Sequence, residues 1–229
     1  MSDEKVLTKE LACVYLFDQS VHLCEFNYID DDAAEVLREH EGYLGLSGLT
    51  SLSDSAAESL SKHEGRGLEL DGLISLSEAA AESLAKHRGY LDLGGLETLS
   101  DTAAAKLGSI FQGEYLNICN LHDLSDAAYE SICKCRSNLS LGSKPLTVAA
   151  AKNLCSHKHD VYIGLDTTLP DSVAENLSDF RGKLELPWLE TLSDAAAESL
   201  SKTRGTLLFE ELRELSDAAA ESLAKHEGQ

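Results

Sequence analysis

The chain repeats one stretch of sequence, LELPWLETLSDAAAESLSKTRG at residues 184–205, with small changes along most of its length. Close copies are LELDGLISLSEAAAESLAKHRG at 68–89, LDLGGLETLSDTAAAKL at 91–107 and LLFEELRELSDAAAESLAKHEG at 207–228. Repeats of this length are typical of solenoids, in which each unit buries its apolar face only against its neighbours. The repeat therefore predicts the architecture before any single residue is considered.

The spacing of the motif divides the chain into nine units preceded by a cap. Successive units begin 22 to 25 residues apart, and the first apolar residues of their L-x-L pairs are Val21, Leu44, Leu68, Leu91, Leu116, Leu139, Val161, Leu184 and Leu207. Ahead of them, LTKELACVYLFDQS at 7–20 resembles the helical half of a unit with no strand before it. Because terminal repeats must cover an open core, we predict an N-terminal helical cap at 1–20 and a single solenoid domain at 21–229.

Within each unit, the pattern predicts one strand followed by one helix. The L-x-L pair alternates with period two, as in a short strand with one buried face. A serine such as Ser125 or Ser193 then suits a helix N-cap, and the acidic residue after it suits the positive end of the helix dipole. Leu200 follows Ala196 by four residues, which places both on one helical face. In the K-H-x-G tail, the glycine suits a left-handed helix stop.

One strand and one helix per repeat predict an α/β solenoid, right-handed like most parallel strand connections, with parallel strands on its concave side and helices on its convex side. Helices are wider than the roughly 4.8 Å spacing of strands, so the stack has to bend with the strands inside. Over residues 21–229 the pattern resembles the leucine-rich-repeat family. More narrowly, it is similar to the short L-S-D-A-A-A-E-x-L-A-K-H-x-G repeats of bacterial, planctomycete-like hypothetical proteins. The usual asparagine or cysteine after the strand, whose side chain ties the corner, is absent.

The charge of the chain excludes some classes of function. Its 40 acidic and 19 basic residues give a net charge of −21, opposite in sign to what nucleic-acid binding requires. The acidic residues serve either the solubility of an alanine-rich surface or the attraction of a basic protein partner. No stretch approaches the ~18 consecutive apolar residues of a membrane span, and the charged start MSDEKVLTKE lacks a secretory signal. We therefore expect a cytoplasmic protein that binds neither nucleic acid nor membrane.

The six cysteines do not predict a disulfide framework. Cys24 and Cys119 share a repeat position four units apart, which corresponds to about 19 Å and lies far beyond disulfide reach. In a reducing cytosol we expect free thiols.

Two pairs of ligand-type residues on neighbouring repeats raise the question of a metal site. They lie in C-K-C at 133–135 and C-S-H-K-H at 155–159, and the candidate zinc ligands are Cys133, Cys135, Cys155 and His157. The column that contains Cys135 and His157 also accepts apolar residues, as a packing position does: it reads His40, His63, His87, Ile110, Cys135, His157, Phe180, Thr203 and His226. Stacked helices hold aligned residues about 8–10 Å apart, too far for shared coordination. We therefore predict no metal site and no cofactor. Because no phosphate loop, G-x-S-x-G or H-E-x-x-H motif occurs, we also predict no catalytic activity.

The outward positions of the strands, which we call the concave face, vary while the helices barely do. Its candidate partner-binding residues are Tyr43, Glu69, Asp71, Tyr90, Asp92, Tyr115, Asn117, Tyr162 and Glu185. Tyrosine is enriched in protein contacts, which favours recognition over an unconstrained solvent-facing surface. We expect the middle residue of each L-x-L to be exposed, so that Asp92→Ala should cost under ~0.5 kcal/mol.

Three functions follow from these patterns, in order of preference. The first is a non-catalytic protein-binding scaffold that uses the concave face for a protein partner of basic character. The alternative is a structural module that self-associates, for instance as a homodimer, through a C-terminal edge formed by Leu207, Leu208 and Phe209, because an uncovered strand edge is a template for association. A metal-dependent or redox function at 133–159 is a distant third.

Overall fold

The computed structural model of the chain describes residues 4–121, 124–142, 146–164 and 167–228. Its strands are β1 (Val6–Leu7), β2 (Tyr28–Ile29), β3 (Tyr43–Gly45), β4 (Gly67–Glu69), β5 (Tyr90–Asp92), β6 (Tyr115–Ile118), β7 (Asn138–Leu141), β8 (Val161–Ile163), β9 (Leu184–Glu185) and β10 (Leu207–Leu208). Its α-helices are α1 (Lys9–Asp18), α2 (Asp31–Leu37), α3 (Asp54–Leu60), α4 (Glu78–Leu84), α5 (Asp101–Ile110), α6 (Asp126–Ile132), α7 (Val148–Leu154), α8 (Asp171–Leu177), α9 (Asp194–Leu200) and α10 (Asp217–Leu223).

Strands β3 to β10 form one parallel sheet in which each strand pairs with the next one along the chain. The register aligns equivalent repeat positions, as in Leu44 opposite Leu68 and Leu68 opposite Leu91. Consecutive helices pack against each other to form the second layer. The prediction of an α/β, leucine-rich-repeat-like solenoid is therefore confirmed, and the narrower strand spacing puts the sheet inside the bend.

The N-terminal end differs from the prediction in two respects. The stretch that begins at Val21 is not a strand; it contains a 3-10 helix at Leu23–Glu25, and Leu23 is buried. No described strand precedes this stretch in the large sheet. Its backbone can therefore form strand hydrogen bonds with at most one neighbouring strand. The cap helix α1 is preceded by strand β1, which pairs with β2 and which the sequence did not indicate.

The core is built from the leucines of the L-x-L pairs and the alanines of the helices. Leu91 and Leu93 are fully buried on either side of Asp92, as are Ala103 and Ala104 on the facing helix. Alanine leaves no side chain to hold the helix away from the sheet, so the two layers lie close together. The predicted burial of the L-x-L residues is confirmed for the repeats of β3 to β9, whereas Val21, Leu207 and Phe209 in the first and last units are only half-buried.

Serine side chains both start the helices and join neighbouring repeats. Ser125 caps α6 by accepting a hydrogen bond from the Ala128 amide at 3.0 Å, and its own hydroxyl donates to the Asp101 carboxylate of the preceding repeat at 2.6 Å. The same double arrangement occurs at Ser53, Ser77, Thr147, Ser193 and Ser216. This serine–aspartate ladder links each repeat to the one before it by side-chain hydrogen bonds, as the asparagines of the usual leucine-rich repeat do. It is interrupted at Ser100, which follows a repeat with Glu78 in place of aspartate and makes only its cap bond among the described residues. It is interrupted again at α8, where Pro170 stands at the N-cap and makes no such bond.

The glycines of the K-H-x-G tails are needed for a different reason from the one expected. Among the described residues no glycine has a positive φ, so the prediction of a left-handed stop is wrong. Instead, a Cβ at Gly113 would lie 2.5 Å from the Gly89 carbonyl oxygen, and one at Gly205 would collide with the Gly182 carbonyl. The glycines are therefore required because consecutive tails stack backbone on backbone.

The column of histidines at the helix ends forms a buried stack. The rings of His40, His63 and His87 lie nearly parallel, with centroids 6.1 Å and 5.9 Å apart. Phe111, not Ile110, continues this column: its ring reaches to 2.5 Å from a Cβ at Gly113, as His63 does at Gly65. Phe111 lies eleven positions after the capping Ser100, whereas His87 lies ten positions after Ser77, and this one extra residue shifts the alignment by one.

Candidate functional site

The concave face carries an aromatic cluster that spans four repeats. The Tyr90 and Tyr115 rings stack with centroids 5.2 Å apart, and the Tyr43 ring lies 6.3 Å from that of Tyr90. Tyr43 and Tyr90 belong to strands separated by β4, where the intervening residue is Gly67. A Cβ at Gly67 would collide with the Tyr43 ring, so this glycine lets two aromatic rings meet across a strand. Tyr43 is the most open member, with 51% of its surface exposed.

Polar side chains below the rings hold the cluster in place. The Asp92 carboxylate accepts hydrogen bonds from the Tyr90 hydroxyl at 2.9 Å, the Gly94 amide at 2.8 Å and the Asn117 side-chain amide at 2.9 Å. Asn117 in turn accepts a bond from the Cys119 amide at 3.1 Å. Asp92 and Asn117 are half-buried, as are the middle residues of the other strands of the large sheet except Ser140, which is buried. The expectation that these middle residues are exposed is therefore wrong. The main contribution of Asp92 and Asn117 is to order the tyrosines and the corner after the strand.

Burial keeps the tyrosine hydroxyls protonated. It raises the pKa of Tyr90, and the neighbouring Asp92 carboxylate raises that pKa further. It also raises the pKa of Tyr115 and Tyr162. The cluster thus presents neutral rings and hydroxyls next to carboxylates.

The acidic candidates lie in two places on the concave face. Glu69 is half-buried and Asp71 is exposed, and neither forms an ion pair with another described residue. Further along the sheet, the half-buried Glu185 forms an ion pair with Lys183 at 2.7 Å. Glu185 also lies close enough to Tyr162 to raise the pKa of that tyrosine. Glu210, which also raises the pKa of Tyr162, is exposed and forms no ion pair with a described residue, so acidic charge is available in both places.

Trp188 is a concave-face residue that the sequence reasoning missed. It is 50% exposed and its ring lies over Gly164 of the preceding repeat, 2.9 Å from where a Cβ would be. The signal was available, since this only tryptophan of the chain occupies the repeat position of Gly48, Gly72 and Gly95. Large exposed aromatic rings of this kind are enriched among the residues that dominate protein interfaces.

The residues of the expected self-association edge are only half-buried. Leu207, Leu208 and Phe209 are partly exposed, whereas the equivalent Leu184 and Leu186 of the preceding repeat are buried. Among the described residues, β10 pairs with β9 alone. Apolar area and free backbone groups thus coincide at this edge.

Of the four candidate zinc ligands, Cys133, Cys135 and His157 are buried and Cys155 is half-buried. All six cysteines are free, Cys133 and Cys135 are buried, and burial raises the pKa of the Cys133 thiol to about 12. Such a thiol is a poor nucleophile and a poor metal ligand at neutral pH. Within the described residues, no group of three or more histidine, cysteine, aspartate or glutamate side chains is placed to hold a metal ion. In the same residues, no helix has the length and apolar character needed to cross a membrane.

Comparison with known proteins finds similarity in three-dimensional structure but not in sequence. No family model matches it, and no curated protein is significantly similar in sequence. An internalin from Listeria monocytogenes is similar in structure, with 16% identity and a TM-score of 0.48 over 90% of this chain and 74% of that one. A chain of the Toll–Spatzle complex of Drosophila is similar with 13% identity and a TM-score of 0.41, over 89% of this chain and 34% of that one. At these values neither comparison identifies a family or a function.

Proposed function

We propose that the protein is a non-catalytic scaffold that binds a protein partner on its concave face. The observation that carries the proposal is the ordered cluster of Tyr43, Tyr90 and Tyr115 above Asp92 and Asn117. Aromatic side chains in ordered surroundings dominate the energy of protein interfaces. Because the three rings pack on one another and the Tyr90 hydroxyl is bonded to Asp92, less side-chain entropy remains to be lost on binding.

The partner we propose presents a basic segment to this face. Glu69 and Asp71 lie beside the aromatic cluster without an ion pair among the described residues. Tyrosine rings accept arginine and lysine over their faces, and carboxylates at the rim pair with the same cations. The net charge of −21 would attract such a partner over a long range.

We also propose a cytoplasmic location for the protein and a relationship to short bacterial repeat proteins. Six free cysteines support a reducing, cytoplasmic location, since disulfides persist mainly in oxidising compartments. The close match to the L-S-D-A-A-A-E-x-L-A-K-H-x-G consensus supports a relationship to the short bacterial repeats.

The test is capture of a partner by immobilised protein from a lysate of the native host. Tyr43→Ala is the most informative single change, because Tyr43 is the most exposed ring of the cluster and makes no side-chain hydrogen bond to a described residue. We expect it to weaken capture strongly, and the change of all three tyrosines to serine to abolish it while the fold persists by circular dichroism. Tyr28→Ser, at an exposed tyrosine of β2 outside the cluster, is the matched control. Capture that survives the triple change would move the site elsewhere, first of all to the helical face.

Self-association through the C-terminal edge is the second candidate function, favoured by the partial exposure of Leu207, Leu208 and Phe209. Light scattering should then show a dimer, and Phe209→Asp should shift it to the monomer. A chain that is strictly monomeric at high concentration would exclude this alternative.

A further inference from the structure

A row of basic side chains follows the rim of the solenoid where the helices turn back into strands. The x position of the K-H-x-G tail is basic in four consecutive repeats, and we call these four residues the basic stripe: Arg136, Lys158, Arg181 and Arg204. All four are exposed, and none forms an ion pair with a described residue. The stripe lies outside the concave face, and the scaffold function proposed above does not use it.

The fold does not require a cation at this position. The same place in other repeats holds Glu41, Glu64, Gln112 and Glu227, and the basic Arg88 is separated from the stripe by Gln112. The clefts nearer the N-terminus are accordingly lined by glutamates as well as by lysines and arginines. On a chain of net charge −21, four successive cations are therefore a local reversal of sign that the repeat itself does not impose.

The basic stripe lines a groove that continues from one repeat to the next. A cleft of about 470 Å³ is lined by Arg136 and Lys158, and a second cleft of about 510 Å³ is lined by Lys158, Arg181 and Arg204. Because Lys158 belongs to both walls, the two clefts meet at this side chain. The groove therefore crosses four repeats along the rim.

The tails that carry the stripe lie close together. A Cβ at Gly205 would lie 2.8 Å from the Arg181 carbonyl carbon, so these neighbouring tails are in backbone contact. In the two repeats of the first cleft, Ser137 and His159 carry side chains at this glycine position. The tails join helices to strands, so successive cations are separated by a distance between the strand spacing of about 4.8 Å and the helix spacing of about 8–10 Å.

Few carboxylates oppose the stripe within the groove. Asp160 is the one acidic residue among the described residues that line the two clefts, and its carboxylate accepts a hydrogen bond from the Lys183 amide at 3.0 Å. The other lysines of the walls are already paired, Lys183 with Glu185 at 2.7 Å and Lys134 with Glu130 at 3.0 Å. The four cations of the stripe thus face a single carboxylate, and the groove keeps an excess of positive charge.

We propose that the basic stripe binds an extended acidic segment of a partner protein. Alternate side chains of an extended chain point the same way and lie about 6.6–6.8 Å apart, which falls within the spacing of the stripe. Carboxylates at every second residue would therefore meet successive cations, and a segment of about seven residues would span all four. Arginine binds a carboxylate through two parallel bonds, so three of the four positions suit this ligand well.

The charge around the groove favours a short acidic segment over a polyanion. At physiological salt the Debye length is about 8 Å, so a ligand inside the groove is influenced mainly by the stripe. A nucleic acid would carry further phosphates beyond the stripe and against a chain of net charge −21.

Fluorescence anisotropy with a labelled peptide ESESESE, acetylated and amidated at its ends, tests the proposal on the intact protein at physiological salt. We expect saturable one-to-one binding that the double change Arg181→Gln with Arg204→Gln weakens about fivefold or more, the effect of losing two exposed ion pairs. The double change Lys86→Gln with Arg88→Gln is the matched control. It removes the same charge from exposed residues of a tail outside the stripe, and it should change binding less than about twofold.

A second peptide tests the spacing. The sequence EEEESSS has the same composition and charge, but only alternate glutamates can face the stripe when the chain is extended. We expect it to bind about threefold or more weakly than ESESESE, because fewer ion pairs form at once. Equal binding of the two peptides would refute the extended geometry.

The remaining outcomes separate the possible occupants of the groove. Absence of saturable binding, or equal weakening by the stripe and control variants, would overturn the proposal. It would also be overturned if a single-stranded oligonucleotide of equal charge bound more tightly and lost its binding in the stripe variant, or if light scattering showed self-association that this variant abolished. Because the tyrosine variants of the concave face leave the stripe intact, failure of one proposal does not imply failure of the other.

Discussion

Acid should destabilise this protein through its buried histidine stack, and His87 is the residue to change. His87 is 1% exposed, neither ring nitrogen has a hydrogen-bond partner among the described residues, and His63 stacks on it at 5.9 Å. Burial, and to a smaller extent the neighbouring His63, lowers the pKa of His87 from its ordinary value of 6.5 to about 4. The folded state therefore keeps the ring neutral over a range of pH in which the unfolded chain protonates it.

The size and sign of the effect follow from this difference in pKa. Above pH 6.5 both states are neutral and stability is at its full value; below it the unfolded state binds more protons, and stability falls until the folded state protonates near pH 4. One pKa unit is worth about 1.4 kcal/mol, so the complete loss is about 3 kcal/mol, of which about 2 kcal/mol is lost by pH 5. Burial lowers the pKa of His63 too, and its contribution has the same sign.

Urea unfolding of the wild type and of His87→Phe, at pH 7.5 and pH 5, measures the contribution of this one group. Phenylalanine occupies the same column at Phe111 and Phe180, so the ring fits and cannot titrate. We expect the free energy of unfolding to fall between the two pH values by about 2 kcal/mol less in the variant than in the wild type. Equal falls in both proteins would refute the reasoning and mean that His87 is hydrated or charged in the folded state.

Three further predictions concern the repeat itself, each measured as the change in free energy of unfolding. Leu93→Ala should cost about 2–5 kcal/mol, because Leu93 is fully buried, and a smaller loss would mean a misplaced strand register. Asp92→Ala should cost about 1–3 kcal/mol because three donors lose their acceptor, and a loss under 0.5 kcal/mol would show that these bonds contribute nothing. Ser125→Ala should cost about 0.5 kcal/mol more than Ser100→Ala, because both changes remove a cap bond but only Ser125→Ala also removes a bond to Asp101. Equal losses would show that the serine–aspartate ladder does not contribute to stability.

The candidate site was only partly readable from the sequence. Spacing placed Tyr43, Tyr90 and Tyr115 in one row of the concave face, because strands in register repeat their outward positions. The contact between Tyr43 and Tyr90 across Gly67 could not be predicted from the sequence. It depends on the rotamer that the Tyr43 ring adopts beside a glycine, which has no side chain. The role of Asp92 was also misjudged, since a residue between two buried leucines looks exposed until its three donors are known.

Most local features of a repeat could be predicted from the sequence, apart from the role of its tail glycine and the missing strand at Val21. The period, the L-x-L strand, the capping serine and the buried alanines follow from alternation, helical spacing and hydrogen bonding within a few residues, and nearly identical copies reinforce each reading. The contacts between neighbouring repeats could be seen only in the folded structure. The bond from Ser125 to Asp101, the backbone stacking that requires Gly113, the entry of Phe111 into the histidine column and the cleft at Ser137 and His159 all join residues more than twenty positions apart. Such contacts depend on how closely two copies of the motif approach each other, a distance that the packing of the whole stack sets and a single motif does not encode.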